Sequence, residues 1–149
     1  MPEKHNMRKE IIRSLKFLLF SISAGIVEIV SFSLLHELTD LEYWTSYVIA
    51  LILSVIWNFT LNRRYTFQSA NNVPIAMLKI LCFYCVFLPA STFLGDYLAD
   101  TLHWNEYAVT LLNMLANFTL EFLYDRFFVF RKSIDTNDLA KRALSKQGR

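Results

Sequence analysis

Four long stretches of this chain are apolar and nearly free of charge, and they restrict its possible folds more than any other feature. They lie at about residues 17–38, 44–61, 75–98 and 107–123. A helix needs roughly 20 mostly apolar residues to cross a hydrocarbon core about 30 Å thick. We therefore predict an all-α membrane protein, with four transmembrane helices in residues 1–132 and a polar cytoplasmic tail in residues 133–149. No room remains for a soluble catalytic domain.

Positive charge is segregated along the sequence. All fifteen Lys and Arg residues fall within residues 4–16, 63–79 and 126–149. The two other connections, at residues 36–43 and 96–106, carry only acidic charge. Because basic segments stay on the cytoplasmic side of a membrane, this pattern predicts both termini in the cytoplasm and both acidic loops outside. The protein should then have one fixed orientation in the plasma or inner membrane.

A displacement of 63 residues superposes the first half of the membrane region on the second half without a gap. Lys16 then falls on Lys79, and the clearest match sets Asn-Arg-Arg-Tyr-Thr-Phe at 62–67 against Asp-Arg-Phe-Phe-Val-Phe at 125–130. Each half contains two predicted crossings, so both halves should point the same way, as in parallel transporter repeats. We predict two parallel two-helix repeats.

Polar side chains recur inside the predicted helices. A charge near the bilayer centre costs at least about 2.5–3.5 kcal/mol, so such residues usually face a partner or a cavity. Glu28 lies near the middle of the first helix, and the others follow a four-residue spacing in the second and fourth helices: Asn58, Asn62, Asn113, Asn117, Glu121 and Asp125. A polar pathway for a substrate is one interpretation. Helix packing through small and hydrogen-bonding residues is the other.

Cations gather at the predicted cytoplasmic ends of the helices. Lys16 and Lys79 begin the first and third helices, whereas Arg63, Arg64 and Arg126 follow the second and fourth. Guanidinium groups bind phosphate oxygens in a bidentate fork, and Lys adds a point charge. These five residues could hold a phosphate. They could also serve only to set topology and contact lipid headgroups.

Signals for catalysis or cofactors do not stand out. Three glycines cannot form a phosphate-cradling loop, so no nucleotide site is expected. Cys82 and Cys85 form a C-x-x-C within an apolar helix, where packing is the favoured interpretation. The three histidines lack metal-site spacing. We expect no enzyme activity, no cofactor, no metal and no nucleic-acid partner.

Several motifs together resemble the GtrA-like family. They are Phe-Leu-Leu-Phe at 17–20, Gly25, Glu28, Trp-Asn-Phe-Thr-Leu-Asn-Arg-Arg-Tyr-Thr-Phe at 57–67 and Arg-Phe-Phe-Val-Phe at 126–130. The resemblance covers roughly residues 13–132. It implies a small four-helix membrane protein of the cell envelope, of the kind involved in cell-surface polysaccharide biosynthesis.

The resemblance also implies a function, namely flipping of a polyprenyl-phosphate-linked monosaccharide from the cytoplasmic to the outer leaflet. Its partners would be that lipid-linked sugar, membrane lipid and membrane glycosyltransferases. Because four helices enclose little volume, we expect a parallel homodimer. One alternative is a non-catalytic subunit that anchors a polyprenyl- or dolichol-phosphate glycosyltransferase. A second alternative is a small-solute exporter centred on Glu28.

Overall fold

The computed structural model describes residues 2–148, and this part of the chain is helical, with no β-strand. Five α-helices follow one another: α1 (Pro2–Leu38), α2 (Tyr43–Leu61), α3 (Val73–Asp96), α4 (Glu106–Tyr124) and α5 (Asp138–Gln147). Helices α2, α3 and α4 each continue into a single π-helical turn, and these turns are Asn62–Thr66, Tyr97–Thr101 and Asp125–Val129.

Among the described residues 2–148, three helical segments are long and apolar enough to cross a membrane: Glu3–Leu38, Tyr43–Thr66 and Val73–Thr101. Large apolar side chains on these segments are widely exposed, for example Ile29 at 67% and Phe93 at 80%. Contiguous exposed apolar surface of this kind needs a cover, and lipid supplies it. The chain is therefore an all-α membrane protein, as the sequence predicts. Helix α4 is interrupted by polar residues, and its crossing stays a prediction.

The chain forms two compact units. The first contains residues 2–70 together with residues 133–148, and the second contains Asn71–Lys132. Helices α1, α2 and α5 thus belong to the first unit, whereas α3 and α4 form the second. The tail at 133–148 is part of the first unit.

In the first unit, α1 packs along α2. The aromatic rings of Phe17 and Phe67 meet edge to face with centroids 6.2 Å apart, and both residues are fully buried. Ser46 and Ala50 of α2 are also fully buried. Small residues at such positions allow two membrane helices to approach closely.

Helix α1 begins far before the predicted crossing at residue 17. Its 37 residues correspond to a length of about 55 Å at the helical rise, whereas a hydrocarbon core measures about 30 Å. The charged residues of 4–16 end the apolar stretch without ending the helix. This N-terminal extension therefore lies beyond the part of α1 that a membrane core can cover.

The chain after residue 132 returns to the end of α2. Backbone amides of Asp135 and Thr136 donate to the carbonyls of Phe67 and Gln68 over 3.0 and 2.9 Å. Gln68 and Asp135 both have positive φ angles, 46° and 57°. Two tight turns thus join the tail to the residues that follow the π turn.

In the second unit, α3 and α4 approach closely at a buried glycine. A methyl group added at Gly95 would lie 3.1 Å from Nδ2 of Asn113 and 3.7 Å from Val109. Near the other end of the pair, the Tyr124 hydroxyl donates to the backbone carbonyl of Lys79 over 2.8 Å. These contacts fix the helix pair at both ends.

Candidate functional site

A ladder of hydrogen-bonded polar side chains follows one face of α2 and its π turn. Asn62 donates from Nδ2 to Oδ1 of Asn58 over 2.8 Å, and the Thr66 hydroxyl donates to Oδ1 of Asn62 over 2.7 Å. Ser21 of α1 adds a longer hydrogen bond to Asn58 Oδ1 at 3.5 Å. Asn62 and Thr66 are each only 2% exposed. The first unit therefore holds a neutral polar ladder, composed of Ser21, Asn58, Asn62 and Thr66.

Glu28 of α1 faces Ser54 of α2. The Ser54 hydroxyl oxygen lies 3.2 Å from Oε2 of Glu28 and 2.9 Å from the carbonyl oxygen of Leu51. A hydroxyl has one proton and can also accept, so it bonds either a carboxylate or a protonated carboxyl at Glu28. The predicted mid-membrane carboxylate thus has a hydrogen-bond partner.

The second unit carries an acidic ladder, most of whose positions correspond to those of the neutral ladder after a displacement of 63 residues. Glu121 and Asp125 are 5% and 4% exposed. The Tyr84 side chain of α3 lies beside Glu121, and Nδ2 of Asn117 lies 3.5 Å from Oε2 of Glu121. Within residues 2–148, Oδ1 of Asp125 and Oδ1 of Asn117 are buried without a hydrogen-bond partner. This acidic ladder (Tyr84, Asn117, Glu121, Asp125) keeps unused acceptor atoms.

Asn113 lies one turn before the acidic ladder. It lines an open cleft of about 270 Å³ between α3 and α4, whose other polar lining residues are Ser91, Thr92, Asp96 and Thr110. The structure therefore brings Asn113 to a polar cleft, separate from the hydrogen bonds of Glu121.

Contacts inside the two units correspond at the 63-residue displacement. Ser21 donates to Asn58 in the first unit, and the corresponding residues Tyr84 and Glu121 lie beside each other in the second. The π turns Asn62–Thr66 and Asp125–Val129 also correspond. Each turn is closed by a 2.9 Å backbone hydrogen bond, from Phe67 to Asn62 and from Phe130 to Asp125. The same local construction therefore occurs twice.

The predicted phosphate-binding cations lie at the π-turn end of each helix pair. In the first unit, Nζ of Lys16 donates to the carbonyl of Tyr65 at 3.4 Å. Arg63 is half-buried, and the exposed Arg64 guanidinium lies 5.6 Å from the centroid of the Tyr65 ring. The structure thus brings Lys16 to the turn that contains both arginines.

In the second unit, the corresponding cations lie over the faces of aromatic rings. Nζ of Lys79 lies 5.1 Å from the centroid of the Phe128 ring, and the Arg126 guanidinium lies 5.2 Å from that of Phe127. Cations over aromatic faces gain about 0.5–1 kcal/mol at exposed sites. Lys79 and Phe128 correspond by position to Lys16 and Tyr65.

A comparison with known protein families shows which family the chain belongs to. Residues 16–130 match the family described as GtrA/DPMS, transmembrane domain. The chain belongs to this family. No curated protein and no solved structure matches the chain. Membership confirms the resemblance given by the sequence motifs, and it relates the protein to the handling of sugar-phosphate lipids in membranes.

The GtrA/DPMS domain covers both polar ladders and all five predicted cations. It does not cover residues 2–15 or residues 131–148. Arg13, Asp135 and the whole of α5 therefore lie outside the matched family domain.

Several residues of these polar contacts were not predicted as site residues, namely Ser21, Ser23, Ser54, Thr66 and Tyr84. Tyr84 corresponds to Ser21 in the repeat, so the displacement together with the polar face of α1 could have identified it. Ser23 accepts a 3.0 Å hydrogen bond from the indole N–H of Trp57. Nothing in the spacing of Ser23 indicated that partner.

Proposed function

We propose that this GtrA/DPMS protein moves a polyprenyl-phosphate-linked monosaccharide from the cytoplasmic to the outer leaflet of the plasma or inner membrane. No covalent step is needed, so the protein acts without enzyme activity. It would receive the lipid from, or pass it to, membrane glycosyltransferases. The observation that carries this proposal is the pair of polar ladders, each built into an otherwise apolar helix pair.

The ladders supply what a sugar needs inside a membrane. A sugar hydroxyl that leaves water without a hydrogen-bond partner costs free energy, roughly 2–7 kcal/mol for each group. Asn58 is half-buried, and its amide group can both donate and accept. The buried oxygens Oδ1 of Asn117 and Oδ1 of Asp125 accept no hydrogen bond within residues 2–148. They suit the donor hydroxyls of a sugar.

The cations at the π-turn ends suit the phosphate of the same lipid. Lys16 and Arg64 belong to one unit, and Lys79 and Arg126 belong to the other. Arg binds phosphate oxygens in a bidentate fork, whereas Lys provides a mobile point charge. The polyprenyl tail needs no protein site because it stays in lipid.

The corresponding contacts of the two units support two parallel two-helix repeats, each with its cations at the cytoplasmic side. This arrangement requires α4 to be a fourth crossing and both termini to be cytoplasmic, in agreement with the charge segregation. A fixed orientation limits self-association to a parallel homodimer with a two-fold axis along the membrane normal.

Reconstitution tests the proposed function directly. Purified protein is inserted into liposomes that contain a labelled polyprenyl-phosphate monosaccharide, and exposure of the sugar in the opposite leaflet is followed over time. We expect faster exchange than in protein-free liposomes. Polyprenyl phosphate without a sugar and a labelled phospholipid serve as matched substrates. Exchange equal to that of empty liposomes would contradict translocation and favour the anchoring subunit, which is then tested by co-purification with a glycosyltransferase.

The variant Glu28→Gln separates a hydrogen-bonding role of this carboxyl group from a proton-carrying one. Gln can keep the hydrogen bond to Ser54, since its amide both donates and accepts. We expect the Gln variant to fold normally and to retain movement of the lipid-linked sugar. A complete loss of transport in a normally inserted Gln variant would assign a proton-carrying role to Glu28.

A further inference from the structure

The tail of the protein is held against the N-terminal extension of α1 by an ion pair between the buried Arg13 and the exposed Asp135. Arg13 is only 8% exposed. Its guanidinium binds Glu10 at 2.5 Å within the same helix and also binds Asp135 of the tail. Nδ2 of Asn137 donates to the carbonyl of Arg64 over 2.9 Å. These contacts place α5 beside the start of the first crossing.

A cleft of about 200 Å³ lies among α1, the end of α2 and α5. We call it the tail cleft. Lys9 and Lys16 supply its cations, Gln68 and Gln147 supply amides, and Tyr65 and Leu144 are among its apolar and aromatic lining residues. The cleft is therefore positively charged on the α1 side and partly apolar on the α5 side.

The positive charge of the tail cleft comes from its two lysines. Arg13 is paired with two carboxylates, Glu10 and Asp135, so these three residues together carry one negative charge, and the two lysines bring the net charge to +1. Lys16 donates one hydrogen bond to the Tyr65 carbonyl, and an ammonium group has three protons to donate. Two further protons of Lys16, the ammonium of Lys9 and the glutamine amides are donors that suit an oxyanion.

The position of the cleft indicates where that oxyanion comes from. Lys16 directly precedes the apolar stretch of α1, so the cleft lies at the depth at which lipid headgroups meet the hydrocarbon core. Leu144 is 62% exposed and lines the cleft, so it offers apolar surface on the α5 side. An amphiphile with an anionic head and an apolar chain matches both sides of the cleft.

We infer that the tail cleft binds the phosphate of a polyprenyl phosphate lipid at the membrane surface. The identity of this lipid rests on the proposed function, whereas the need for a lipid-borne phosphate rests on the cleft itself. The site differs from the ladders, which contact the sugar, and Lys9 and α5 extend it beyond the matched family domain.

Binding to the full chain in detergent tests the site without any transport assay. The probes are a polyprenyl monophosphate, the matching polyprenol without phosphate, and phosphatidylglycerol, each followed by native mass spectrometry. We expect retention of the monophosphate and not of the polyprenol. Lys9→Gln and Lys16→Gln should each weaken retention about tenfold, the effect of losing one charge-assisted hydrogen bond.

Two further variants control this measurement. Lys141→Gln removes an exposed charge of α5 that does not line the cleft, and it should leave binding unchanged. Leu144→Glu places a negative charge in the cleft at an exposed position, so it should weaken binding without unfolding the protein. Equal retention by the wild type, the Lys9, the Lys16 and the Leu144 variants would overturn the site.

The outcomes also separate this inference from the proposed function. If phosphatidylglycerol is retained as strongly as the polyprenyl monophosphate, and its retention also depends on the two lysines, the cleft binds bulk anionic lipid and the assignment to the carrier lipid is wrong. Unchanged binding and unchanged sugar-lipid exchange in the Lys9 and Leu144 variants would refute the cleft and leave the proposed function standing, because neither residue belongs to the phosphate site of that proposal. Lysine-dependent binding of the monophosphate without any exchange would support the cleft and contradict translocation.

Discussion

Asn62 and Asp125 occupy the same place in the two units and have the same backbone geometry, yet only one of them completes its hydrogen bonds. Each begins a π turn, and each backbone N–H donates to the corresponding pair of carbonyls on the preceding helix. Asn62 donates to Asn58 and accepts from Thr66. At Asp125 the acceptor Oδ1 stays without a partner within residues 2–148, and the residue that corresponds to Thr66 is Val129.

The substitution Asp125→Asn should stabilise the protein. An amide at this position can donate to Glu121, as Asn62 donates to Asn58, and it removes a buried carboxylate. A buried polar group without a partner costs about 1–3 kcal/mol, so we expect a higher midpoint of thermal unfolding in detergent. The reciprocal change Asn62→Asp is the matched control and should lower the midpoint. Lower stability of Asp125→Asn together with unchanged stability of Asn62→Asp would contradict this account.

Arg64 offers the clearest test of the arginine doublet, because it is exposed and its side chain lies over Tyr65. Arg64→Ala should weaken engagement of the lipid phosphate by about 1.5–3 kcal/mol, the range for hydrogen bonds to charged groups. This corresponds to roughly ten- to over a hundredfold. Arg64→Lys should restore only part of the affinity, because the charge returns without the bidentate fork.

The measurement is the concentration dependence of sugar-lipid exchange in liposomes, made after insertion and expression have been checked. Removal of cations near helix ends can alter topology, so that check comes first. A lysine variant equal to the wild type would show that charge alone is used, and an alanine variant equal to the wild type would remove Arg64 from the site.

At the scale of whole elements, the apolar pattern predicts the bounds of most helices closely. It fails where a helix continues into charged residues or ends in a π turn. The predicted stretch 44–61 becomes Tyr43–Leu61, and 107–123 becomes Glu106–Tyr124. Helix α1 starts about fifteen residues early because charged residues with good helix propensity prolong a helix that hydropathy cannot trace. The π turns carry no hydropathy signal.

The polar network was only partly predictable, because a sequence pattern describes one helix at a time. Four-residue spacing identifies Asn58, Asn62, Asn117 and Glu121 as one-sided stripes. Spacing within a helix does not show which residue of the neighbouring helix completes a hydrogen bond, so Tyr84 was missed. The ion pair of Arg13 with Asp135 joins positions that are 122 residues apart in sequence. It follows from the return of the tail, which no local pattern encodes.

The docking of α5 should depend on Asp135. In Asp135→Ala, Arg13 keeps only Glu10 as a partner. Because the Asp135 side chain is 43% exposed, we expect its loss to destabilise the docking of α5 by about 1 kcal/mol. This destabilisation acts locally, so trypsin should cleave after Lys141 and Arg142 faster than in the wild type. Asp138→Ala removes an exposed acidic residue of the same helix and should change cleavage far less. Equal cleavage rates for the two variants would show that the ion pair does not hold α5.

At the scale of the whole molecule, the number of membrane crossings depends on one helix, α4. Helix α4 carries the acidic ladder, and it is absent from the three segments that are apolar enough to cross a membrane unaided. A helix with two buried carboxyl groups is costly to insert alone, since each charge at the bilayer centre adds at least about 2.5–3.5 kcal/mol. It can cross as a partner of α3, whose Tyr84 lies beside Glu121 and whose Lys79 carbonyl accepts a hydrogen bond from Tyr124.

Single-cysteine labelling decides whether α4 crosses. Cys82 and Cys85 are exposed free thiols, so both are first replaced by Ser. Single cysteines are then placed at Asp40, His103, Lys132 and Gln147, and intact cells are treated with a membrane-impermeant maleimide. Because basic segments stay inside, we expect labelling at Asp40 and His103, and labelling at Lys132 and Gln147 only after the membrane is permeabilised. Labelling of His103 and Lys132 from the same side would show that α4 lies along the membrane surface, and the two-helix repeat in the second unit would then be wrong. Labelling of Asp40 only after permeabilisation would instead reverse the orientation of the first helix pair and place the cations of the tail cleft outside the cell.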